Sequence, residues 1–172
     1  MATGVSGCLR SQASDQTTAT LEGNALDIRI AFNQTVTESE INADTTGDRE
    51  LAFMCFSASL WNADGQRIAS YDIGGDEKGL DFTGGSYDPE TAPASADGTF
   101  RWFGGPDATT TVRLAGIDGA SSVRTIVFVG TPVVDNEISA TLSVDDRETD
   151  SVEFGTRGAP TPYELSVEGT TE

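Results

Sequence analysis

The chain has no histidine and a single lysine, Lys78; its other nine basic residues are arginines. Without histidine there is no Ser-His-Asp or Cys-His arrangement and no histidine-based zinc site. The usual general base near neutral pH is missing with it. No GxxxxGK[ST] or GxGxxG pattern occurs, so nucleotide phosphate loops have no support. The glycine pairs Gly74-Gly75, Gly84-Gly85 and Gly104-Gly105 read as turns. Long apolar runs are missing as well, so no segment of about 18 residues is expected to span a membrane. The opening stretch MATGVSGCLRSQ has neither an apolar core nor a charged start, and no signal peptide is expected from it.

Cysteine is scarce, with only Cys8 and Cys55 and no CxxC spacing. One pair in a chain this long is no disulfide framework, and whether the two pair is left open. Cys55 lies in the apolar run Leu51-Ala52-Phe53-Met54-Cys55-Phe56, where a small buried thiol is expected. Asn33-Gln34-Thr35 matches a glycosylation sequon, read as a chance match without a secretory signal.

What the chain has in abundance is negative charge. Its 172 residues carry 28 acidic against 10 basic side chains, a formal net charge of −18. At molar salt the Debye length shrinks to about 3 Å, which screens repulsion between surface carboxylates. In dilute buffer the same charges repel across about 10 Å. The composition therefore points to a protein adapted to a halophile's surroundings. It disfavours nucleic acid, whose recognition needs clustered Lys and Arg, and anionic membrane surfaces for the same reason.

Period-two alternation dominates the pattern. Leu26, Ile28, Ile30 and Phe32 alternate with Asp27, Arg29 and Ala31. Ile138 to Val144 and Tyr163 to Val167 alternate in the same way. Leu51 to Trp61 is apolar on both faces at its start, as a central strand would be. Asn62-Ala63-Asp64-Gly65 then predicts a hairpin into Gln66 to Ile73, with Gly65 at positive φ. Thr109 to Ala115 and Val123 to Gly130 predict a second strand pair. Thr99 to Phe103 and Thr17 to Glu22 are shorter candidates, and no window keeps a helical period.

The expected fold is all-β: an antiparallel two-sheet sandwich or jelly roll of about eight to ten strands. One domain spans residues 1–172, with an N-terminal arm over about 1–16 and a long surface loop over about 74–98. The length suffices for a sizeable core.

Candidate sites are few. Asp145, Asp146, Glu148 and Asp150 place four acids within six residues, a calcium candidate because hard cations want several oxygen ligands. Asp72, Asp76, Glu77 and Asp81 form a looser group. Neither follows EF-hand spacing. Phe100, Trp102 and Phe103 are candidate interface anchors, with core packing the simpler reading.

Ser57-Ala58-Ser59-Leu60-Trp61-Asn62-Ala63-Asp64-Gly65 resembles the strand and Asp-Gly turn of the tellurium-resistance TerD-type β-sandwich family. Thr111-Val112-Arg113-Leu114 and Val123-Arg124-Thr125-Ile126-Val127-Phe128-Val129 resemble its later strands. Together the resemblance covers about half the chain. It implies a similar sandwich and an intracellular calcium-binding stress module. The family's acidic calcium segments have no counterpart, since Leu51 to Phe56 stands where one is expected.

The leading expectation is a non-enzymatic structural subunit of a halophilic, haloarchaeal assembly: a virion capsid, decoration or tail protein. Its partners would be itself or other subunits of that assembly, and its place the virion or the host cytoplasm. The alternatives are the calcium module and a carbohydrate-binding sandwich with Trp102 as its platform.

Overall fold

The computed structural model describes residues 24–75, 78–92 and 98–168. The sequon's Asn33 is committed to the fold, because its amide donates to the Glu137 carbonyl and accepts from the Ser139 N–H. Its neighbour β1 (Ala25–Phe32) buries Leu26, Ile28, Ile30 and Phe32 while Asp27 and Arg29 face solvent. That alternation is what a sheet with one buried face requires. Around β1 forms a five-stranded antiparallel sheet, in the order β11-β10-β1-β8-β5. Its members are β5 (Leu80–Gly84), β8 (Thr109–Ala115), β10 (Ser139–Val144) and β11 (Arg147–Glu153).

The second sheet is built on β3 (Glu50–Asn62), a strand of 13 residues. Its main order is β12-β9-β3-β7-β6, with β2 and β4 also paired to β3. The remaining ranges are β2 (Val36–Thr37), β4 (Arg67–Asp72), β6 (Glu90–Thr91), β7 (Thr99–Gly104), β9 (Val123–Pro132) and β12 (Thr161–Ser166). The only α-helix among the described residues is α1 (Glu38–Ile41), one turn opened by a capping box from Thr37 and Glu40. The two-sheet sandwich is as expected, although the described residues form twelve strands rather than eight to ten. Two of these, β2 and β6, are only two residues long.

Between the sheets Phe53, Phe103, Phe128 and Phe154 meet Ile30, Phe32, Leu142 and Leu165 around a void of about 10 Å3. Such a lining is wholly apolar and has no partner to offer a water. Phe53 stacks on Phe154 at 4.5 Å, and Tyr163 meets Phe154 edge-on at 4.8 Å. Gly130 is a close-approach position: a Cβ there would stand 2.2 Å from the Met54 carbonyl oxygen and 2.4 Å from the Phe53 ring. One buried hydroxyl ties sheet to sheet. Thr110 on β8 donates to the Gly85 carbonyl at 2.6 Å and accepts the N–H of Gly104 on β7 at 3.0 Å.

Three expectations are corrected here. β8 and β9 do not pair with each other: β8 lies in the five-stranded sheet and β9 in the seven-stranded one. Their connection, in which Ile117 and Ala120 are buried, carries the chain across the sandwich. The stretch 74–98 is not one irregular loop, since it contains β5 and β6 and a bridge from Ser86 to Phe103. Finally, Phe100, Trp102 and Phe103 are all buried, with Trp102 only 7% exposed. The predicted β3–β4 hairpin is present, with Gly65 at φ +71°. The Thr17–Glu22 run and the arm at 1–16 lie outside the described residues.

Candidate functional site

β3 pairs with β7 through Leu51–Cys55 on one edge, then with β4 through Ser57–Trp61 on the same edge. Phe56 is the residue skipped at this handover, and the pairing with β9 also shifts there. A bulge of this kind re-aims side chains. Cys55 and Ala58 both point into the sandwich, while Phe56 and Ser57 sit together on its outside. The sheet therefore forks, β7 diverging to one side of Phe56 and β4 to the other. At the fork lies an open groove of about 340 Å3, bordered by Phe56, Ser57, Ser70, Asp72 and Thr99. The Asp72 carboxylate accepts the Gly74 N–H at 3.2 Å and the Thr99 hydroxyl at 3.4 Å.

Beyond the groove, cross-strand register fixes what the outer face of this sheet displays. Met54 opposes Trp102 and Thr131, Ser57 opposes Val129, Ser59 opposes Val127, and Trp61 opposes Thr125. The Trp61 indole N–H donates to the Ser59 hydroxyl at 2.9 Å, which holds the ring along the face. Met54, Phe56, Trp61, Val127 and Val129 are half-buried. No charged residue stands among the outward positions of β3 from Met54 to Trp61 or those of β9 from Thr125 to Thr131. Charge enters at the flanks, through Asp72 and Arg67 on β4, the latter opposite Trp61, and through Glu164 on β12.

The opposite outer face is built differently. There Arg113 binds the Asp27 carboxylate at 2.7 Å, and Asp81 stands across from Arg113. Arg29 lies between Ser143 and Thr111, and the Thr83 and Thr111 hydroxyls bond at 2.8 Å. In a chain of net charge −18, the uncharged centre on β3 and β9 is thus a local exception. Interface cores are depleted in charge and enriched in aromatic residues and Met, as this face is.

The predicted calcium ligands are not brought together. Asp145 and Asp146 form the two-residue tip of the β10–β11 hairpin, both at positive φ. Asp145 accepts the N–H of Asp27 at 3.1 Å. Glu148 is exposed on β11. Asp150 turns inward, opposite Leu142, and accepts the N–H of Ser166 at 2.7 Å and that of Ser151 at 2.8 Å. Among the described residues no three Asp, Glu, Cys or His side chains gather to hold a metal ion. Of the looser group, Asp76 and Glu77 lie outside the described residues, and Asp72 and Asp81 stand on different sheets. The interface candidates divide between two cores. Phe103 packs between the sheets against Phe82 at 5.8 Å, whereas Phe100 and Trp102 meet edge-on at 5.6 Å on the other side of β7. Only their neighbours Met54 and Phe56 reach the surface.

Three ionisable groups are shifted by their surroundings, among them Arg49, which its hydrogen bond to Glu38 holds above its ordinary value. Hydrogen bonds from Arg49 hold the Glu38 carboxyl below the usual carboxylate range. Arg49 also pairs with Glu90 and lies over the Tyr87 ring at 5.4 Å. Burial drives the Cys55 thiol far up, and its sulfur contacts the Ser57 carbonyl at 3.7 Å. A thiol held neutral in this way is no nucleophile.

No family model, curated protein or solved structure matches this chain. The TerD-type resemblance accordingly rests on the residues that carry it. Of those, Ser57 to Gly65 does form a strand end and tight turn, while the two later segments fall in different sheets. No helix among the described residues is long and apolar enough to cross a membrane.

Proposed function

We propose that this chain is a non-enzymatic structural subunit of an assembly that operates at high salt, a virion shell or tail being the foremost case. What carries the reading is the uncharged outer face on β3 and β9, with Met54, Phe56, Trp61, Val127 and Val129 half-buried upon it. Its occupant on this reading is a second copy of the chain. Two bodies of charge −18 repel over most relative orientations, and least where each presents no carboxylate. Molar salt screens the remaining repulsion to about 3 Å and strengthens apolar burial in the case of kosmotropic ions. The acidic composition and the self-association would then share one condition.

The test is sedimentation velocity in multimolar salt across a concentration series. The native chain is expected to associate. Val127→Glu, which places a carboxylate in the middle of the face, is expected to stay monomeric while keeping its melting temperature within a few degrees. A native chain that remains monomeric at high concentration in multimolar salt defeats the proposal.

The groove at the fork favours a second reading, a carbohydrate-binding sandwich. It offers one aromatic edge from Phe56 beside the Ser57, Ser70 and Thr99 hydroxyls and the Asp72 carboxylate. That set could stack on a sugar and bond its hydroxyls, in place of the buried Trp102. Glycan-array binding that is lost in Phe56→Ala would support it, and an array blank in molar salt would remove it.

A further inference from the structure

We propose that the second copy seated on β3 and β9 is related to the first by a twofold axis running along the strands. In that arrangement Arg67 of each copy pairs with Glu164 of the other. The inference rests on the self-association reading above and adds the geometry of the contact. On this face the strands lie in the order β12-β9-β3-β4. Cross-strand register sets three rows across them: Arg67 to Ser166, Ser70 to Glu164, and Asp72 to Pro162. Within these rows Arg67 is the one cation, at a corner beside the half-buried Trp61, and Glu164 stands at the middle of the opposite margin. Both are exposed, and neither enters an ion pair or a side-chain hydrogen bond among the described residues. Arg49, Arg113 and Arg124, by contrast, are each matched to a carboxylate. In a chain this short of cations, an unmatched arginine beside a tryptophan has the composition of an interface.

Charge decides the direction of the axis. Two copies of one face meet through a twofold axis in the contact plane, which runs either across the strands or along them. An axis across the strands reverses the rows and leaves each strand over its own copy. Arg67 then faces the partner's Asp72, but Glu164 lies directly over the partner's Glu164. An axis along the strands keeps the rows and exchanges β4 with β12 and β3 with β9. Glu164 then lies over the partner's Ser70, and Asp72 over the partner's Pro162, so no two carboxylates face each other. Like charges set face to face cost affinity and exclude a docking register, and a chain of net charge −18 has few cations to offset them.

The same axis brings Arg67 over the partner's Ser166, two residues or about 7 Å along β12 from Glu164. Stacked sheets lie about 10 Å apart, a gap that an arginine and a glutamate side chain together can span. The symmetry makes this contact twice, once at each margin, with the uncharged strands β3 and β9 between the two. Between stacked sheets the pairs are partly buried, and such pairs escape much of the screening that salt imposes on exposed charges. An isologous contact of this kind closes at two copies, so the face supplies a dimeric building block.

The experiment measures dimer dissociation by sedimentation equilibrium in multimolar sodium chloride. It compares the native chain, Arg67→Glu, Glu164→Arg, and an equimolar mixture of the two variants. Each variant alone sets like charges together at both contacts and should dimerise about tenfold more weakly. In the mixture each contact again joins opposite charges, and the native affinity should return. General repulsion predicts the reverse for Glu164→Arg, which makes the chain less negative and on that ground alone should tighten the dimer. Both positions are exposed, so all the chains should melt within a few degrees of one another. A tighter Glu164→Arg dimer, or a mixture no tighter than the variants alone, overturns this geometry and leaves self-association standing. A native chain that stays monomeric overturns both.

Discussion

The carboxylate of Asp150 on β11 accepts the backbone N–H of Ser166 on β12 at 2.7 Å, clasping the margin of one sheet to the margin of the other. The same side chain accepts the Ser151 N–H. Hydrogen bonds to a charged acceptor contribute about 1.5–3 kcal/mol, and removal leaves the Ser166 donor without this partner. Asp150→Ala is therefore expected to lower the melting temperature by roughly 3–12 °C, at about 2–4 °C per kcal/mol for a chain of this size. Asp150→Asn keeps an acceptor and should lose less. Thermal melts with and without calcium separate this role from ligation: the Asp150→Ala deficit should be the same in both.

Asp145 and Asp146 differ in what their positive φ accomplishes. Both suit a two-residue hairpin turn that matches strand twist. Asp146 makes no side-chain bond to offset its backbone conformation among those described, whereas Asp145 binds the Asp27 N–H. Asp146→Gly should stabilise the fold by up to about 1 kcal/mol, since glycine adopts this region freely. Asp145→Gly should gain less or lose. Chemical denaturation of the pair reads the difference.

Cys55 should be inert in the native state. Burial raises its thiol far above the usual range, so the thiolate that reacts with labelling reagents is not formed. Native protein in molar salt at pH 8 is expected to resist a thiol reagent at this position for hours. Denaturant should release it fully. Peptide mapping assigns the label, and rapid native labelling at Cys55 would contradict the burial.

Acid should loosen the α1 corner first. Arg49 lowers the Glu38 carboxyl below its unfolded value, so the pair's stabilisation is complete above the ordinary carboxylate range. It is lost as pH falls through the folded-state value. Glu38→Gln should flatten the acid limb of the melting-temperature profile below about pH 4.5 and change little near neutrality. Because the pair is partly exposed, the effect should be small and should shrink further at high salt.

Low salt should destabilise the whole chain. With 18 uncompensated negative charges, lowering ionic strength from molar to about 0.1 M extends repulsion from about 3 to about 10 Å. The melting temperature is expected to rise monotonically with salt. Equal melting at both ionic strengths, with sodium chloride as the only variable, would refute a salt-adapted surface.

Much of this fold was legible in the residues. β1, β10 and β12 alternate so regularly that only a half-buried strand accommodates them, and Asn62 to Gly65 carries its turn chemistry openly. The pairing of β8 with β9 was misread for a physical reason. Both strands have apolar inward residues that suit either sheet, and a glycine-bearing connection resembles a hairpin loop. What diverts the chain is burial of Ile117 and Ala120, which depends on tertiary packing. β5 and β6 escaped notice because five and two residues are too few for a period to emerge. The uncharged face was hidden too. It arises from the shift at Phe56, which places Met54, Phe56, Ser57 and Ser59 on one side, and no simple alternation predicts that.

The fork at Phe56 has a consequence for how the molecule can grow. Because two short strands share one side of β3, the seven-stranded sheet never offers a long straight margin there. β12, at the other margin, carries Pro162, which has no N–H to give. The five-stranded sheet ends in β5, irregular at Phe82 to Gly84, and in β11, irregular opposite Leu142 and Ser143 and lined with Glu148, Asp150 and Glu153. Such margins resist the addition of a foreign strand. At the described margins, polymerisation by runaway strand exchange, the route to fibrils, is thereby disfavoured.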